Sequence, residues 1–111
     1  MQATNEIPHI TPEEAQKMAA SGRAVLIDVR EPEELVVAAI EGAVNVPLSA
    51  FSTDDILAAA GDKEIIFFCK IGGRAMNACQ YFSQQSGRAA ACMTGSITGW
   101  AAKGLPLVTG S

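Results

Sequence analysis

The run Ile65-Ile66-Phe67-Phe68 is apolar at every position and delivers Cys69 directly into Lys70-Ile71-Gly72-Gly73-Arg74. A strand with one wet face alternates apolar and polar residues, so an unbroken run of this kind suits a strand buried on both faces of a parallel sheet. Arg74-Ala75-Met76-Asn77-Ala78-Cys79-Gln80-Tyr81-Phe82 then reads as a helix. Strand, glycine turn and helix in that order put Cys69 at the carboxyl end of a central strand, where open α/β sheets bind their ligands.

The rest of the chain repeats this alternation. Thr11-Pro12-Glu13-Glu14 predicts a helix start, with Thr11 as cap, Pro12 at the first helical position and Glu14 able to complete a capping box. Ala24-Val25-Leu26-Ile27-Asp28-Val29 predicts a buried strand, and Glu31-Pro32-Glu33-Glu34 opens a second helix through Leu35-Val36-Val37. Ala43-Val44-Asn45-Val46 is a short strand halted by Pro47, and Ser52-Thr53-Asp54-Asp55 caps a helix through Ile56-Leu57-Ala58-Ala59. Ala89-Ala90-Ala91-Cys92-Met93 reads as a last strand, followed by a short helix over Ile97-Thr98-Gly99-Trp100-Ala101-Ala102. The prediction is an α/β three-layer domain with a mostly parallel sheet flanked by helices and right-handed crossovers. With 111 residues and no linker-like stretch, residues 1–111 are expected to form one domain.

Charge and cysteine usage narrow the chemistry. A net charge of −4 argues against a nucleic-acid partner, which needs a basic face. The longest wholly apolar run, Leu35 to Ile40, is six residues, far short of the ~20 that span a bilayer, so no membrane crossing is expected. Met1-Gln2-Ala3-Thr4-Asn5-Glu6 lacks both a basic start and an apolar stretch, so no secretory signal is read there and the cytoplasm is the expected location. Three cysteines, no Cys-x-x-Cys pair and a single histidine, His9, point to neither a metal site nor a disulfide framework. Reduced thiols and no cofactor are expected.

Free cysteine is among the most buried residue types, so Cys69 alone would read as packing. Two glycines, two cations and a helix start within five residues shift the reading to a nucleophile. A cysteine at pKa ~8.5 is roughly 3% thiolate at neutral pH, whereas about 6.5 would ionise about three-quarters of it. Backbone N–H groups around Gly72-Gly73, the dipole of the following helix and the charges of Lys70 and Arg74 all act in that direction. Concentrated against an acidic chain, Lys70 and Arg74 would also attract a small anion.

The other reactive side chains read as structure. Cys79 lies five residues beyond Arg74, about 7.5 Å of helical rise, while a disulfide needs Cα atoms within about 7 Å, so core packing is expected rather than a resolving thiol. Cys92 falls in a buried strand and is expected to be inert. Asp28 and Arg30 suit a structural ion-pair network with Glu34 as a further partner, with Arg30 at the site entrance as the lesser alternative. Trp100 is expected to anchor the last helix on the sheet with Ile97. His9 is too distant in sequence to suggest a Cys-His catalytic pair.

These residues, with others spread over nearly the whole chain, resemble a single-domain rhodanese of the thiosulfate sulfurtransferase type. Leu26-Ile27-Asp28-Val29-Arg30-Glu31-Pro32-Glu33-Glu34 is similar to the family's amino-terminal signature, and Ile40-Glu41-Gly42-Ala43-Val44-Asn45-Val46-Pro47-Leu48 to its next segment. Cys69 to Arg74 resembles the active loop, while Gly95-Ser96-Ile97-Thr98-Gly99-Trp100 and Gly104-Leu105-Pro106 resemble the closing pattern. The resemblance implies a rhodanese-like fold with a five-stranded sheet, and a sulfurtransferase in which Cys69 carries a persulfide. It implies that Cys69 takes a sulfane sulfur from thiosulfate or another persulfide donor and passes it to cyanide or a thiol, with a protein acceptor as a further option. The N–H groups from Lys70 through Ile71, Gly72 and Gly73 to Arg74 would hold the persulfide, and the Lys70 and Arg74 side chains would guide the donor. Two departures touch the second helix: Ala38-Ala39 stand where the family commonly has Gly-His, and Leu35 where an aromatic residue is frequent.

Two alternatives remain at this stage. Phosphatases and arsenate reductases related to this fold have five residues between Cys and Arg, whereas four separate Cys69 from Arg74. The shorter loop makes a smaller cradle, better suited to a sulfur atom than to a tetrahedral oxyanion. A sulfur-carrier or regulatory binding module is the other alternative, since fold alone does not dictate chemistry.

Overall fold

The computed structural model describes residues 7–109; the N-terminal segment read for a signal, Met1 to Glu6, lies outside the described residues, as does Ser111. Five strands, β1 (His9–Ile10), β2 (Ala24–Asp28), β3 (Val44–Asn45), β4 (Glu64–Phe68) and β5 (Ala91–Met93), form one sheet in the order β1-β5-β4-β2-β3. Every pairing between them is parallel. β4 is central and faces helices on both sides. Ile65 and Phe67 pack on the side of α3 (Thr53–Ala60) and α4 (Gly73–Ser86). Ile66 and Phe68 pack on the side of α1 (Pro12–Ala20) and α5 (Ser96–Ala102). All four are at most 2% exposed, which is why no polar residue interrupts the run. The three-layer α/β architecture read from the sequence is the one observed.

The sequence pattern predicts no strand ahead of the first helix, yet His9 and Ile10 pair with Cys92 and Met93 and supply the fifth strand. The expected capping box on α1 is half made, because Thr11 Oγ1 accepts the Glu14 N–H at 3.2 Å without a reciprocal bond from the Glu14 side chain among the described residues. On α2 (Pro32–Val37) Glu34 does reach back, accepting the Glu31 N–H at 2.9 Å. Ser52 caps α3 through the Asp55 N–H as expected.

α2 buries none of its residues and lies at the carboxyl end of the sheet. Ala38 O accepts from Arg30 Nη2 at 2.9 Å, and Ala39 exchanges two backbone bonds with Val108, at 2.7 and 2.8 Å. Ala38 and Ala39 are therefore held by their backbone groups. Trp100 is 3% exposed, packs with Ile97 and donates its indole N–H to Pro106 O at 2.7 Å, tying down the segment that leads to Val108. No helix among the described residues is long and apolar enough to cross a membrane.

Candidate active site

β4 ends at Phe68 and α4 begins at Gly73, one residue earlier than the sequence suggested, leaving Cys69 to Gly72 as the turn between them. The Cys69 backbone is bound on both sides of its peptide: its N–H donates to Ser96 Oγ at 3.1 Å and its carbonyl accepts the Ile97 N–H at 3.0 Å. The next carbonyl, Lys70 O, accepts the Thr98 N–H at 3.1 Å. The first turn of α5 thus clamps the loop from the opposite face.

Cys69 Sγ accepts the Gly72 N–H at 3.0 Å and the Ala75 N–H at 3.4 Å. Gly72 reaches that position with φ +132°, a conformation that side-chain-bearing residues rarely adopt. With the open end of a 14-residue helix behind it, the sulfur sits where unsatisfied backbone donors stabilise negative charge. Ser96 Oγ lies 3.8 Å from Sγ. Either atom can donate in that contact while Cys69 is a thiol, and once Cys69 is a thiolate only the Ser96 hydroxyl can donate. Ser96 is fully buried and carries φ 53°, the one non-glycine residue with positive φ among those described. Such strain persists only where surrounding contacts hold it.

The six loop residues singled out from the sequence have separate situations. Cys69 is 1% exposed, whereas Lys70 is exposed and Ile71 is 72% exposed. Gly72 supplies a donor to Sγ. Gly73 has neither a positive φ nor a neighbour within 4 Å of an added Cβ, so the expectation that both glycines shape the turn holds for Gly72 alone. Of the two cations expected around the thiol, Arg74 interacts with Cys69 through its charge while its hydrogen bonds go elsewhere. Arg74 directs its guanidinium at Glu34, with Nη1 at 2.7 Å from Oε2 and Nη2 at 2.9 Å from Oε1. The Arg74 hydrogen bonds hold the Glu34 carboxyl down at about 2, assisted by the Glu31 N–H and opposed by partial desolvation.

Glu34 therefore gives its carboxylate hydrogen bonds to Arg74, and it joins the Asp28–Arg30 pair through its carbonyl, 3.5 Å from Arg30 Nη1, and through its charge. Asp28 and Arg30 do form the expected structural network: Arg30 Nε and Nη2 donate to the Asp28 carboxylate at 2.8–3.2 Å, and both residues are at most 4% exposed. Asn45 Nδ2 fastens it further by donating to the Asp28 and Arg30 carbonyls, each at 2.9 Å.

Cys79 and Cys92 are buried as expected, but they are not independent. The two thiols influence each other: Cys92 lowers the Cys79 pKa, and Cys79, with burial, raises that of Cys92. His9 is exposed, with Nδ1 2.9 Å from Ile7 O. Among the described residues no group of three or more His, Cys, Asp or Glu side chains could hold a metal ion.

Ser96, Glu34 and the Ala75 N–H were not assigned to the site from sequence, although Ser96 lies within the closing motif. Its positive φ follows Gly95, also left-handed at φ 73°, and the chain stays close there: a Cβ on Gly99 would lie 2.8 Å from Thr94 O.

The rhodanese-like domain family matches residues 11–103. A sulfurtransferase of Allochromatium vinosum is 29% identical over 94 residues, covering 85% of this chain and 87% of the relative. The human thiosulfate:glutathione sulfurtransferase is 33% identical over 86 residues, covering 66% of this chain and 75% of the relative. Among solved structures, a human single-domain sulfurtransferase superposes with a TM-score of 0.71 at 29% identity, covering 88% of this chain and 98% of that one.

Proposed function

The chain belongs to the rhodanese-like domain family, and on that premise we propose that it is a sulfurtransferase whose working thiol is Cys69. The observation that carries this reading is Cys69 Sγ at the head of α4, receiving N–H donors from Gly72 at 3.0 Å and Ala75 at 3.4 Å. The Cys69 thiolate attacks the outer sulfur of thiosulfate. The S–S bond to the sulfonate breaks, its electron pair leaves with sulfite, and Cys69 keeps the sulfur as a persulfide anion. An acceptor then attacks the outer persulfide sulfur: cyanide leaves as thiocyanate, a thiolate leaves as an organic persulfide, and Cys69 returns as thiolate. The donors that face Sγ stabilise the anion in each state, and Ser96 offers its hydroxyl proton to the same atom.

The reading of Lys70 as a guide for an anionic donor is retained because its ammonium is exposed beside the loop. Arg74 acts instead through the ion pair with Glu34. An oxyanion cradle of the phosphatase kind needs its arginine turned toward the bound anion, and the Arg74–Glu34 pairing favours sulfur transfer over that chemistry.

The test is to incubate reduced protein with thiosulfate, remove excess reagent and measure intact and peptide mass. The expected result is one sulfur added at Cys69 and removed by dithiothreitol, with Cys69→Ser taking up none. Loading that survives Cys69→Ser, or sulfur found on Cys79 or Cys92 instead, overturns the assignment.

A further inference from the structure

We propose that Cys79 and Cys92 form a second thiol site, separate from Cys69, which a low-molecular-weight disulfide converts to an intramolecular Cys79–Cys92 disulfide. The site goes beyond the sulfur-transfer reading and does not depend on it. A cavity of about 580 Å³ lies between the second half of α4 and the residues ahead of β1, and Cys79 lines it together with Ser83, Gln84, Arg88, Ile7 and Pro8. That volume falls within the range of small-molecule sites, roughly 300–1,000 Å³. The side chains of Ser83, Gln84 and Arg88 suit it to a small polar molecule.

The fold brings the two cysteines together from opposite sides of one interface. Cys79 lies on the buried face of α4 with Ala75, Ala78 and Phe82. Cys92 is the middle residue of β5 and pairs with Phe67 of β4, whose ring packs on the α4 side of the sheet. Both cysteines belong to that same core cluster, and their thiols meet where α4 crosses β5. The cavity wall is part of the same joint, because the Cys92 N–H donates to Pro8 O at 2.9 Å. The helical rise that separates Cys79 from the Cys69 loop therefore leaves it a different partner, one hidden in the sequence by the intervening turn of chain. Neither sulfur has a part in the chemistry at Cys69.

Position and environment give the two thiols different roles. Cys79 lines the cavity and Cys92 does not, so an incoming disulfide meets Cys79 first. Cys92 lowers the Cys79 pKa, burial opposes it, and Ser83, one turn further along α4, lowers it again, whereas Cys79 and burial both raise that of Cys92. Cys79 is accordingly the attacking thiol and Cys92 the resolving one. The Cys79 thiolate attacks one sulfur of R–S–S–R, the S–S bond breaks, and its electron pair leaves with RS⁻. Cys92, deprotonated, then attacks the Cys79 sulfur of the mixed disulfide and the second RS⁻ leaves. The two protons given up by the protein thiols end on the two RS⁻, so the pair is oxidised by two electrons and the small disulfide is reduced to two thiols. Cys79 is 1% exposed, and the first attack waits on local opening of the last turns of α4 over the cavity.

The experiment is a redox titration of the full chain and of its Cys69→Ser variant with mixtures of bis(2-hydroxyethyl) disulfide and 2-mercaptoethanol. Each mixture is brought to equilibrium, quenched with an alkylating reagent and read by peptide mass, and the series is repeated in denaturing urea. The expected product in both proteins is a peptide pair joined through Cys79 and Cys92. Because folding holds the two thiols in contact, that bond is expected at a ratio of disulfide to squared thiol about tenfold lower in the native protein than in urea. In Cys92→Ala one mercaptoethanol is expected to stay on Cys79, and in Cys79→Ala the Cys92 thiol is expected to remain unmodified. A native ratio equal to or above that in urea overturns the proposal, since the fold would then oppose the bond. So does an adduct that forms on Cys92 ahead of Cys79, or a Cys79–Cys92 bond that disappears in Cys69→Ser. The native titration carries no substitution at either member of the pair, so it decides the matter even where an alanine variant fails to fold.

Discussion

Two arginines near the carboxyl end of the sheet each take a carboxylate through two nitrogens, and their surroundings make them opposites. Arg30 and Asp28 are two residues apart, with side chains 5% and 1% exposed. Arg74 and Glu34 are forty residues apart, with side chains 36% and 31% exposed. In the first pair Arg30 also donates to Ala38 O, and Asn45 Nδ2 donates to the Asp28 and Arg30 carbonyls. It is a joint between β2, α2 and β3. The second pair stands at the mouth of the thiol loop, where water competes for both partners and either can be released without exposing a core. The comparison separates charge that holds the fold from charge that sits where a substrate would meet it.

The largest effect that can break this comparison is on the buried side. Arg30→Ala leaves the Asp28 carboxylate buried and uncompensated, a change expected to cost about 3–5 kcal/mol of stability by urea unfolding. Replacing Asp28 and Arg30 together with apolar residues of similar volume is expected to recover part of that loss. A single-variant cost below about 1 kcal/mol, the range of an exposed pair, would erase the distinction.

Ser96 stands between the two regimes, buried like Arg30 yet touching the reacting sulfur. Ser96→Gly relieves the φ of 53° but leaves the Cys69 N–H without its acceptor, for a net loss expected near 1–2 kcal/mol. It is also expected to slow sulfur loading of Cys69, because the loop loses a clamp and the sulfur a hydroxyl. Loading at the wild-type rate in a destabilised Ser96→Gly protein would reduce Ser96 to a purely structural residue.

The sequence showed these regions unequally, for physical reasons. Burial on both faces of β4 leaves a direct mark, since no polar residue is tolerated from Ile65 to Phe68, the strand, glycine turn and helix around Cys69 marked the thiol, and the family resemblance led to the closing motif. Asp28 and Arg30 were readable as a pair because they are neighbours in sequence. Glu34 and Arg74 were not, because a contact across forty residues depends on how α2 and α4 are set against the sheet. β1 escaped for the same reason: two residues have no periodicity, and only their pairing with Cys92 and Met93 makes them a strand. The contact between Cys79 and Cys92 likewise appears only when α4 is laid on β5. Ser96 lay within a recognised motif, but residue identity alone does not reveal a left-handed φ.

The smallest expected effect tests the exposed pair on its own terms. Glu34→Gln is expected to change stability at neutral pH by less than about 1 kcal/mol, because solvent screens a pair one-third exposed. Its signature is the pH dependence. The folded-state pKa of Glu34 is lowered from 4.5 to about 2 by its bonds to Arg74. The unfolded chain therefore takes up the proton first as pH falls, and the pair's contribution is complete above the ordinary carboxylate value and lost on the way down to about 2. The difference in unfolding free energy between wild type and Glu34→Gln should be constant from neutral pH to about 5 and shrink toward zero across that acid window. The same subtraction made with Arg30→Ala removes a partner from a sealed network, and its large cost at neutral pH should dwarf the Glu34 difference. A Glu34→Gln difference as large as the Arg30→Ala one would mean that the mouth of the loop is as much a part of the folded core as the joint beneath it, leaving Arg74 no freedom to answer a substrate.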